Sequence, residues 1–199
     1  LEQIENFPLI VKPISGSGSR GIKFARNSRE LSTFIENMVS SEKEMLIQDY
    51  IPHVCEDQYL VAQIMDEKGQ SRAHFVLRKL REYPYSGGPM TAAIGVKNSQ
   101  LVRQNTKLLR KLKLFGMSST EYVFDNRSNE YKLLEINPRF YGALGTSLYS
   151  GVDFAYILLN LALGNKLKYP DYKAGVLWRW LFPGDILAFL AHPQKIKIL

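Results

Sequence analysis

Residues 132–141 read KLLEINPRFY, an apolar run that ends in regularly spaced polar side chains. Glu135, Asn137 and Arg139 each stand two residues from the last, so in an extended chain they share one face of a strand and its exit. Pro138 lacks an N–H group and ends the strand there. A carboxylate, an amide and a guanidinium on one face predict a site for a charged ligand.

A second carboxylate is expected to face this strand from the strand before it. Residues 120–125 and 130–136 read as the two arms of a β-hairpin. If the turn centres near residue 128, antiparallel pairing puts Glu121 opposite Glu135. A register one residue away would separate the two carboxylates, so this inference depends on the register.

The same register would place Val123 opposite Leu133. Like charges directly opposite each other destabilise a sheet. The facing pair Glu121 and Glu135 therefore implies either that one carboxyl group is protonated or that a cation lies between them. With Asn137 the face offers three oxygen ligands, the hard set that Mg²⁺ prefers when phosphates supply the rest. The alternative interpretation is an exposed strand end with ordinary solvated charges.

Composition describes an ordinary globular chain. Its 199 residues, 45% apolar and 23% charged, suit one domain or two small lobes. The longest nearly apolar run, residues 154–163, is too short to cross a bilayer, which needs about 20 residues. Cys55 is the single cysteine, which excludes a disulfide framework or a cysteine-based metal site and favours a cytoplasmic location. The chain opens without Met, which suggests a fragment of a longer protein.

The formal net charge is +7, from 26 basic and 19 acidic residues. Such a balance favours anionic partners, among them nucleotides, phosphates and nucleic acids. The basic runs at 78–81 and 107–113 come without any zinc-finger, basic-zipper or RNA-recognition signature. Nucleic-acid binding is thus a rival function supported by net charge alone, and we expect no nucleic-acid partner.

Hydrophobic periodicity divides the chain into two α+β lobes and an extension. Residues 1–52 form a small lobe, 53–165 a larger lobe and 166–199 a C-terminal extension of unknown role. The small lobe has predicted strands at 8–12, 22–25 and 45–48 and a helix from 28. The larger lobe has hairpins at 59–80 and 120–136 and helices at 99–115, 153–163 and 184–191.

A glycine- and serine-rich loop follows the first strand. Lys12 ends the apolar strand PLIVK, and residues 16–21 then read GSGSRG. The ammonium group of Lys12 can reach a phosphate while N–H groups of the loop surround it. The loop is not a Walker A motif, because no Gly-Lys-Ser/Thr closes it and a strand follows. A plain hairpin connection is the alternative.

Two further segments offer polar groups where the two lobes join. The sequence QDYIP at 48–52 ends an apolar strand, and extended backbone at such a join can hydrogen-bond the edge of a base. The acceptors of Glu56, Asp57 and Gln58 open the next strand, where they can meet ribose hydroxyls. A simple polar turn is the alternative for this second segment.

Taken in order, these pieces resemble the ATP-grasp superfamily, especially the branch that looks like the large chain of carbamoyl-phosphate synthase. The resemblance runs from about residue 7 to about residue 164. It implies the ATP-grasp fold, an α+β arrangement of two lobes with the nucleotide held between them. It also implies an upstream domain that is missing from these residues.

The resemblance carries site residues with it. Phosphate contacts are implied for Lys12, Gly16, Ser17, Gly18 and Ser19. Adenine contacts are implied for the side chain of Gln48 and the backbone of Asp49 and Ile51. Gln58 stands at the position where the family usually has a Glu that binds the ribose. Asp57 or Glu56 can make this ribose contact in place of that Glu. The implied ligands of Mg²⁺ or Mn²⁺ are Glu121, Glu135 and Asn137, and Arg139 would stand beside the acyl phosphate.

The implied activity is that of an ATP-dependent, Mg²⁺-dependent ligase. Such an enzyme phosphorylates a carboxylate to an acyl phosphate, which an amine or similar nucleophile then attacks. The expected partners are small-molecule carboxylate and amine substrates, with no nucleic acid and no membrane, and a homodimer is a candidate assembly. The alternative is a regulatory or fragmentary nucleotide-binding module without turnover.

Overall fold

The computed structural model describes residues 6–14, 21–39, 44–85, 87–167 and 171–191. Within these ranges the chain forms nine strands and five α-helices, with a 3-10 turn at Cys55–Asp57 and a π-helical segment at Leu181–Asp185. The chain divides into two compact units. The first is Leu1–Pro52 with Ser86–Pro89, and the second is His53–Tyr85 with Met90–Leu199.

The first unit is a three-stranded antiparallel sheet with one helix. Its elements are β1 (Leu9–Pro13), β2 (Lys23–Ala25), α1 (Ser28–Val39) and β3 (Met45–Asp49), and the strand order is β2-β1-β3. Buried side chains from β1, β2 and α1 form its core: Leu9, Val11, Ala25 and Leu31.

The start of α1 is capped by the side chain of Asn27. Oδ1 of Asn27 accepts a hydrogen bond of 2.9 Å from the backbone N–H of Glu30, which satisfies one of the first-turn donors. The carboxylate of Glu30 in turn accepts from the backbone N–H of Arg26 at 2.8 Å. These bonds fix the beginning of the helix directly after β2.

The second unit contains a six-stranded antiparallel sheet in the order β8-β7-β4-β5-β6-β9. Its strands are β4 (Gln58–Met65), β5 (Ser71–Glu82), β6 (Met90–Val96), β7 (Gly116–Asp125), β8 (Glu130–Asn137) and β9 (Leu177–Arg179). Its helices are α2 (Ser99–Lys111), α3 (Leu144–Tyr149), α4 (Phe154–Ala162) and α5 (Ile186–Ala191). The predicted α+β class is confirmed.

The large sheet buries both faces. On one face, Leu101 of α2 packs with Val61, Val76 and Tyr122. On the other face, Phe154 and Ile157 of α4 pack with a larger cluster that includes Leu60, Ala62, Phe75 and Leu77. Because side chains alternate along a strand, neighbouring residues of β4 and β7 serve opposite faces.

A buried polar network ties α2 to the sheet. The hydroxyl of Tyr122 donates to Oδ1 of Asn105 at 2.9 Å, and Nδ2 of Asn105 donates to Oε1 of Gln63 at 2.7 Å. Nε2 of Gln63 donates to the hydroxyls of Ser71 at 2.7 Å and Thr106 at 2.6 Å. Gln63 and Asn105 are both 0% exposed, so these bonds replace the water that their amides lose on folding.

Two predicted bounds near α2 differ from the structure. The helix ends at Lys111 instead of 115, and β7 begins at Gly116 instead of 120. Lys113 has φ of 53° and Gly116 has φ of 78°, so the backbone leaves helical geometry between them. The helical periodicity of the sequence therefore continues past the last hydrogen-bonded turn.

The C-terminal residues described by the structure belong to the second unit. β9 pairs with β6, with Trp178 opposite Ala93. Asp185 is 3% exposed and binds Arg81 through Nε at 2.6 Å and Nη2 at 2.9 Å, while Arg179 donates to it at 2.7 Å. None of the helices within the described ranges has the length and apolar character that crossing a membrane requires.

Candidate functional site

Lys12 and Gln48 share one face of the sheet in the first unit. Leu9 and Val11 are buried with the residues of α1, so the alternating residues Ile10 and Lys12 project from the other face. Gln48 lies opposite Ile10 in the β1–β3 ladder. Lys12 is therefore a diagonal neighbour of Gln48, with backbones roughly 7–8 Å apart.

The backbone of Asp49 is directed along the outer edge of this sheet. The N–H of Tyr50 donates to the carbonyl of Pro8 at 3.2 Å. Because inward and outward groups alternate along an antiparallel edge strand, the N–H and C=O groups of the preceding Asp49 point away from β1. This orientation suits the backbone contact with a base that the sequence predicts there.

The glycine-rich loop is described only at its end. Gly16, Ser17, Gly18 and Ser19, the predicted phosphate contacts, lie outside the described residues. Gly21 closes the loop with φ of 81°, a left-handed conformation, and a Cβ atom there would lie 3.0 Å from Cγ of Pro13. Both the conformation and the close approach favour glycine at this position.

In the second unit, Glu121 and Glu135 lie directly opposite each other. The β7–β8 ladder pairs Glu121 with Glu135 and Ser119 with Asn137, so both carboxylates and the amide lie on one face. Nδ2 of Asn137 donates to Oε1 of Glu135 at 2.6 Å. The predicted facing of the two carboxylates is confirmed.

The register on the turn side of this pair differs from the expectation. Val123 lies opposite Lys132, and the prediction of Leu133 was wrong. A four-residue turn at 126–129 sets the register of the closed end, and that register changes by one residue between Glu121 and its neighbour. The extra residue in β8 is Leu134, which makes this position a β-bulge.

The face formed by Glu121, Glu135 and Asn137 has the donors of a hard cation site. Glu135 is exposed and Glu121 is partly buried, so at least one carboxylate is accessible to a ligand. Two carboxylates and an amide oxygen fit Mg²⁺ or Mn²⁺ better than a soft metal. Across the described ranges no group of three or more His, Cys, Asp or Glu side chains is placed to hold a metal ion. The set described here has only two such residues and an amide.

Arg139 lies just beyond the end of β8. Its side chain is exposed, and Nη1 donates to the carbonyl of Phe140 at 3.2 Å. The backbone N–H of Arg139 donates to the carbonyl of Asn137 at 2.8 Å, which turns the chain at the end of the strand. The guanidinium group therefore retains donors for an anionic ligand.

Asp57 has a structural function at the beginning of β4. Its Oδ2 accepts from the backbone N–H of Val54 at 3.1 Å and from Nδ2 of Asn126 at 3.0 Å. The first bond closes the 3-10 turn, and the second joins that turn to the β7–β8 turn. A ribose hydroxyl bound by Asp57 would share this carboxylate with Val54 and Asn126.

Gln58 is bound within a polar cluster that the sequence did not predict. Its Oε1 accepts from Nζ of Lys79 at 2.9 Å, and its Nε2 lies 2.9 Å from Nε2 of His53. Lys79 also forms an ion pair with Glu82. These two residues, three apart in β5, would face opposite sides of a regular strand. Shifts in the β5–β6 register between them allow the contact.

The basic run 78–81 makes hydrogen bonds and ion pairs within the second unit. Arg78 donates to the carbonyl of Glu56 at 2.8 Å, and Lys79 and Arg81 bind the carboxylates of Glu82 and Asp185. The only sequence signal was a charged run at the end of an apolar strand, which does not identify distant partners. Two of its three basic side chains, Lys79 and Arg81, are thus paired with carboxylates of the same unit.

The lone cysteine lies beside this cluster. Burial raises the pKa of the Cys55 thiol to about 12, although the positive charge of Lys79 opposes the shift. The thiol is therefore protonated near neutral pH and is a poor nucleophile.

Comparison with protein families matches most of the chain to one domain type. A family profile described as an ATP-grasp domain matches residues 2–143. The small subunit of 2-oxoglutarate carboxylase from Hydrogenobacter thermophilus is 22% identical over 187 residues, 82% of this chain. Pyruvate carboxylase from Bacillus subtilis is also 22% identical, over 174 residues and 83% of this chain. The chain spans 36% and 15% of the lengths of these two relatives.

Solved structures share the fold. The biotin carboxylase domain dimer of the H. thermophilus 2-oxoglutarate carboxylase, in complex with MgADP, ADP and bicarbonate, aligns with a TM-score of 0.62 and 19% identity. The alignment covers 83% of this chain and 38% of that one. N5-carboxyaminoimidazole synthetase from Staphylococcus aureus, complexed with ADP, aligns with a TM-score of 0.64 and 14% identity, over 83% and 44% of the two chains.

Proposed function

Because the chain belongs to the ATP-grasp family, we propose that its protein is a Mg²⁺-dependent ligase that uses ATP to activate a carboxylate. The carboxylate becomes an acyl phosphate, and an amine or similar nucleophile then displaces the phosphate. The family prediction made from the sequence is confirmed at the level of the ATP-grasp fold. The narrower likeness to carbamoyl-phosphate synthase stays a prediction.

The observation that carries the proposal is the facing pair of Glu121 and Glu135, with Asn137 on the same face. Two carboxylates directly opposite each other repel, so a solvated strand end gains nothing from this arrangement. A divalent cation held by both carboxylates and the Asn137 oxygen reverses that repulsion. The H. thermophilus relative, which shares this fold, was crystallised with MgADP, and this supports a metal nucleotide as the ligand.

Phosphoryl transfer explains why these residue types are needed. An oxygen of the substrate carboxylate attacks the γ-phosphorus of ATP, the bond to the β,γ-bridging oxygen breaks, and ADP leaves with that electron pair. The amine then attacks the acyl carbon, and inorganic phosphate departs. Bound Mg²⁺ supplies neutralisation of the charge on the phosphates. The protein contributes mainly position and fixed charge.

The roles proposed for individual side chains follow from their charges. Lys12 binds a phosphate from the sheet face that it shares with Gln48, and the Asp49 backbone on the sheet edge binds the base. Arg139 contacts the carboxylate and then the acyl phosphate by charge-assisted hydrogen bonds. The reaction uses no protein nucleophile, which agrees with the protonated state of Cys55.

Release of ADP by the full-length protein tests the proposal. Carboxylates and amines are screened at fixed ATP, with Mg²⁺ titrated for the best pair. Glu135→Gln keeps the size of the side chain and removes its charge. We expect turnover to fall by roughly 100-fold or more, as when one preorganised charge contact is removed from an active site.

Glu130→Gln is the matched control. Glu130 lies on the same strand, is exposed and pairs with Lys132 instead of the candidate ligands. Its substitution should leave turnover and Mg²⁺ dependence unchanged. Wild-type turnover and Mg²⁺ dependence in Glu135→Gln would overturn the proposal. ATP binding without substrate-dependent ADP release in wild-type protein would favour a nucleotide-binding module instead.

A further inference from the structure

We propose that the β-bulge at Leu134 is the positioning device of the candidate metal site, acting through its backbone to aim Glu135 at the ligand position. The inference rests on the proposed function, since it assigns a role relative to that site. Leu134 touches neither the nucleotide nor the metal in this proposal. It is a positioning residue.

The bulge affects one ligand of the site and leaves the other in place. β7 pairs with β4 in an uninterrupted register, with Glu121 opposite Leu60 and Tyr122 opposite Tyr59. The shift occurs only in the pairing of β7 with β8, between Glu121 and Tyr122. Because β8 is the outermost strand of the sheet, it can bend there without disturbing the core.

The effect on β8 is a change of face within three residues. Leu133 lies opposite Tyr122, whose side chain belongs to the α2 side, while Glu135 lies opposite Glu121, the neighbour of Leu60 on the α4 side. In a regular strand, residues two apart share a face. The bulge therefore puts Leu133 and Glu135 on opposite faces of the sheet although they are only two residues apart.

The bulge also changes the direction of the Glu135 side chain. A bulge bends its strand and increases the local twist, so the following side chain leaves the orientation of a flat ladder. The hydrogen bond of 2.6 Å from Asn137 then holds the redirected carboxylate. Metal ligands must be placed within about 0.5 Å for productive binding, so a local bend of this kind is large enough to matter.

Deletion of Leu134 tests the proposal in the full-length protein. Removing the extra residue lets Tyr122 still pair with Leu133 and Glu121 with Glu135, so faces and partners are kept and only the bulge is lost. Mn²⁺ serves as the probe, with binding followed by electron paramagnetic resonance in the presence of ADP. We expect the Mn²⁺ affinity to fall by about tenfold or more, the range seen when supporting residues of metal sites are changed. ADP affinity without metal should change less than threefold.

Two substitutions separate the backbone from the side chain and do not depend on folding of the deletion variant. Leu134→Ala keeps the bulge with a short side chain, and Leu134→Gly loosens its backbone. The Gly variant should bind Mn²⁺ severalfold more weakly than the Ala variant. Equal affinities of the two variants would overturn the proposal, as would wild-type Mn²⁺ affinity in the deletion variant.

Glu135→Gln distinguishes failure of this inference from failure of the proposed function. If Glu135→Gln abolishes Mn²⁺ binding while the deletion variant binds normally, the metal site stands and the bulge has no positioning role. If Glu135→Gln binds Mn²⁺ as the wild type does, the metal site itself is wrong and both proposals fall.

Discussion

Glu121 lies opposite Glu135 across β7 and β8, while the adjacent Tyr122 lies opposite Leu133 on the other face of the sheet. Consecutive residues of β7 thus serve two purposes. Tyr122 anchors the strand to α2 through its hydroxyl bond to Asn105, and Glu121 presents a carboxylate on the face that holds the candidate site. A metal-binding side chain that must keep its position is best placed on a rigidly anchored strand.

Without metal, Glu135→Gln should stabilise the protein. The substitution removes repulsion from Glu121, and Gln can still accept the hydrogen bond from Asn137. We expect a gain of about 0.5 kcal/mol in the free energy of unfolding, as for other cross-strand charge pairs. The gain should shrink at high salt because Glu135 is exposed.

Thermal unfolding with EDTA, and again with Mg²⁺ and ADP, measures this effect. Mg²⁺ and ADP together should stabilise the wild type more than the variant, which binds the nucleotide without the metal contact, so the order of the two Tm values should reverse. A lower Tm for the variant in EDTA would show that the two carboxylates do not repel each other in the free protein.

Tyr122→Phe should destabilise the second unit by about 1–2 kcal/mol, because Oδ1 of the buried Asn105 loses its donor. Urea unfolding followed by circular dichroism measures the change. Tyr156→Phe is the control, since Tyr156 is 56% exposed and its loss of a hydroxyl should change the free energy by less than about 0.5 kcal/mol. Equal effects of the two substitutions would mean that the network adds no stability.

Local pattern was sufficient to predict most elements and the facing of Glu121 and Glu135. It failed at β6, where Thr91, Ala92 and Ala93 are all 0% exposed and the alternation that identifies a half-buried strand is absent. It failed as well at Leu134, because spacing along the sequence does not show where one strand of a hairpin carries an extra residue. The turn sets one register, in which Val123 pairs with Lys132. Glu121 and Glu135 pair in a register shifted by one residue, which the sequence alone does not indicate.

The partners of Lys79 and Arg81 could not be predicted from sequence spacing either. Arg81 binds Asp185, which lies 104 residues away, and Lys79 binds Gln58 from a neighbouring strand. In the sequence alone, a run of basic residues indicates surface charge, because its acceptors lie on elements that only the folded sheet brings close. The sequence therefore predicted the candidate metal ligands, which are local to one hairpin, and missed the polar clusters assembled from distant strands.

Asp185→Asn should destabilise the second unit by about 3 kcal/mol, since breaking a buried ion pair leaves the charge of Arg81 uncompensated. The side chain of Asp185 is 2% exposed and that of Arg81 is 15% exposed. Asp171→Asn removes the exposed pair with Lys97 and should change stability by about 1 kcal/mol or less. Similar unfolding midpoints for the two variants in urea would contradict the buried character of the Arg81 pair.

Acid should weaken the fold partly through Asp125. Hydrogen bonds from Arg127 hold the pKa of Asp125 at about 2, below its ordinary value of 3.8. A carboxyl group with a lowered folded-state pKa stabilises the protein above pH 3.8, and this contribution disappears as the pH falls toward 2. Asp125→Asn should therefore flatten the pH dependence of unfolding between these values. Glu67→Gln, at an exposed turn position, is the control, and an unchanged slope in Asp125→Asn would refute the assignment.

Lys12→Ala should weaken nucleotide binding more than any other single change in the first unit that leaves its fold intact. A hydrogen bond between charged groups contributes about 1.5–3 kcal/mol, so we expect the Kd for ATP to rise roughly 10- to 100-fold. Lys23→Ala removes the same charge from β2, where Lys23 pairs with Val11 on the face that α1 covers. Calorimetric titration of both variants in the full-length protein separates a specific contact from the effect of net charge. If Lys23→Ala weakens binding as much as Lys12→Ala does, and salt removes the difference from wild type in both, then Lys12 contributes only to the general positive potential. The phosphate contact proposed for Lys12 would then be wrong, although the metal site on β7 and β8 would remain to be judged by its own variants.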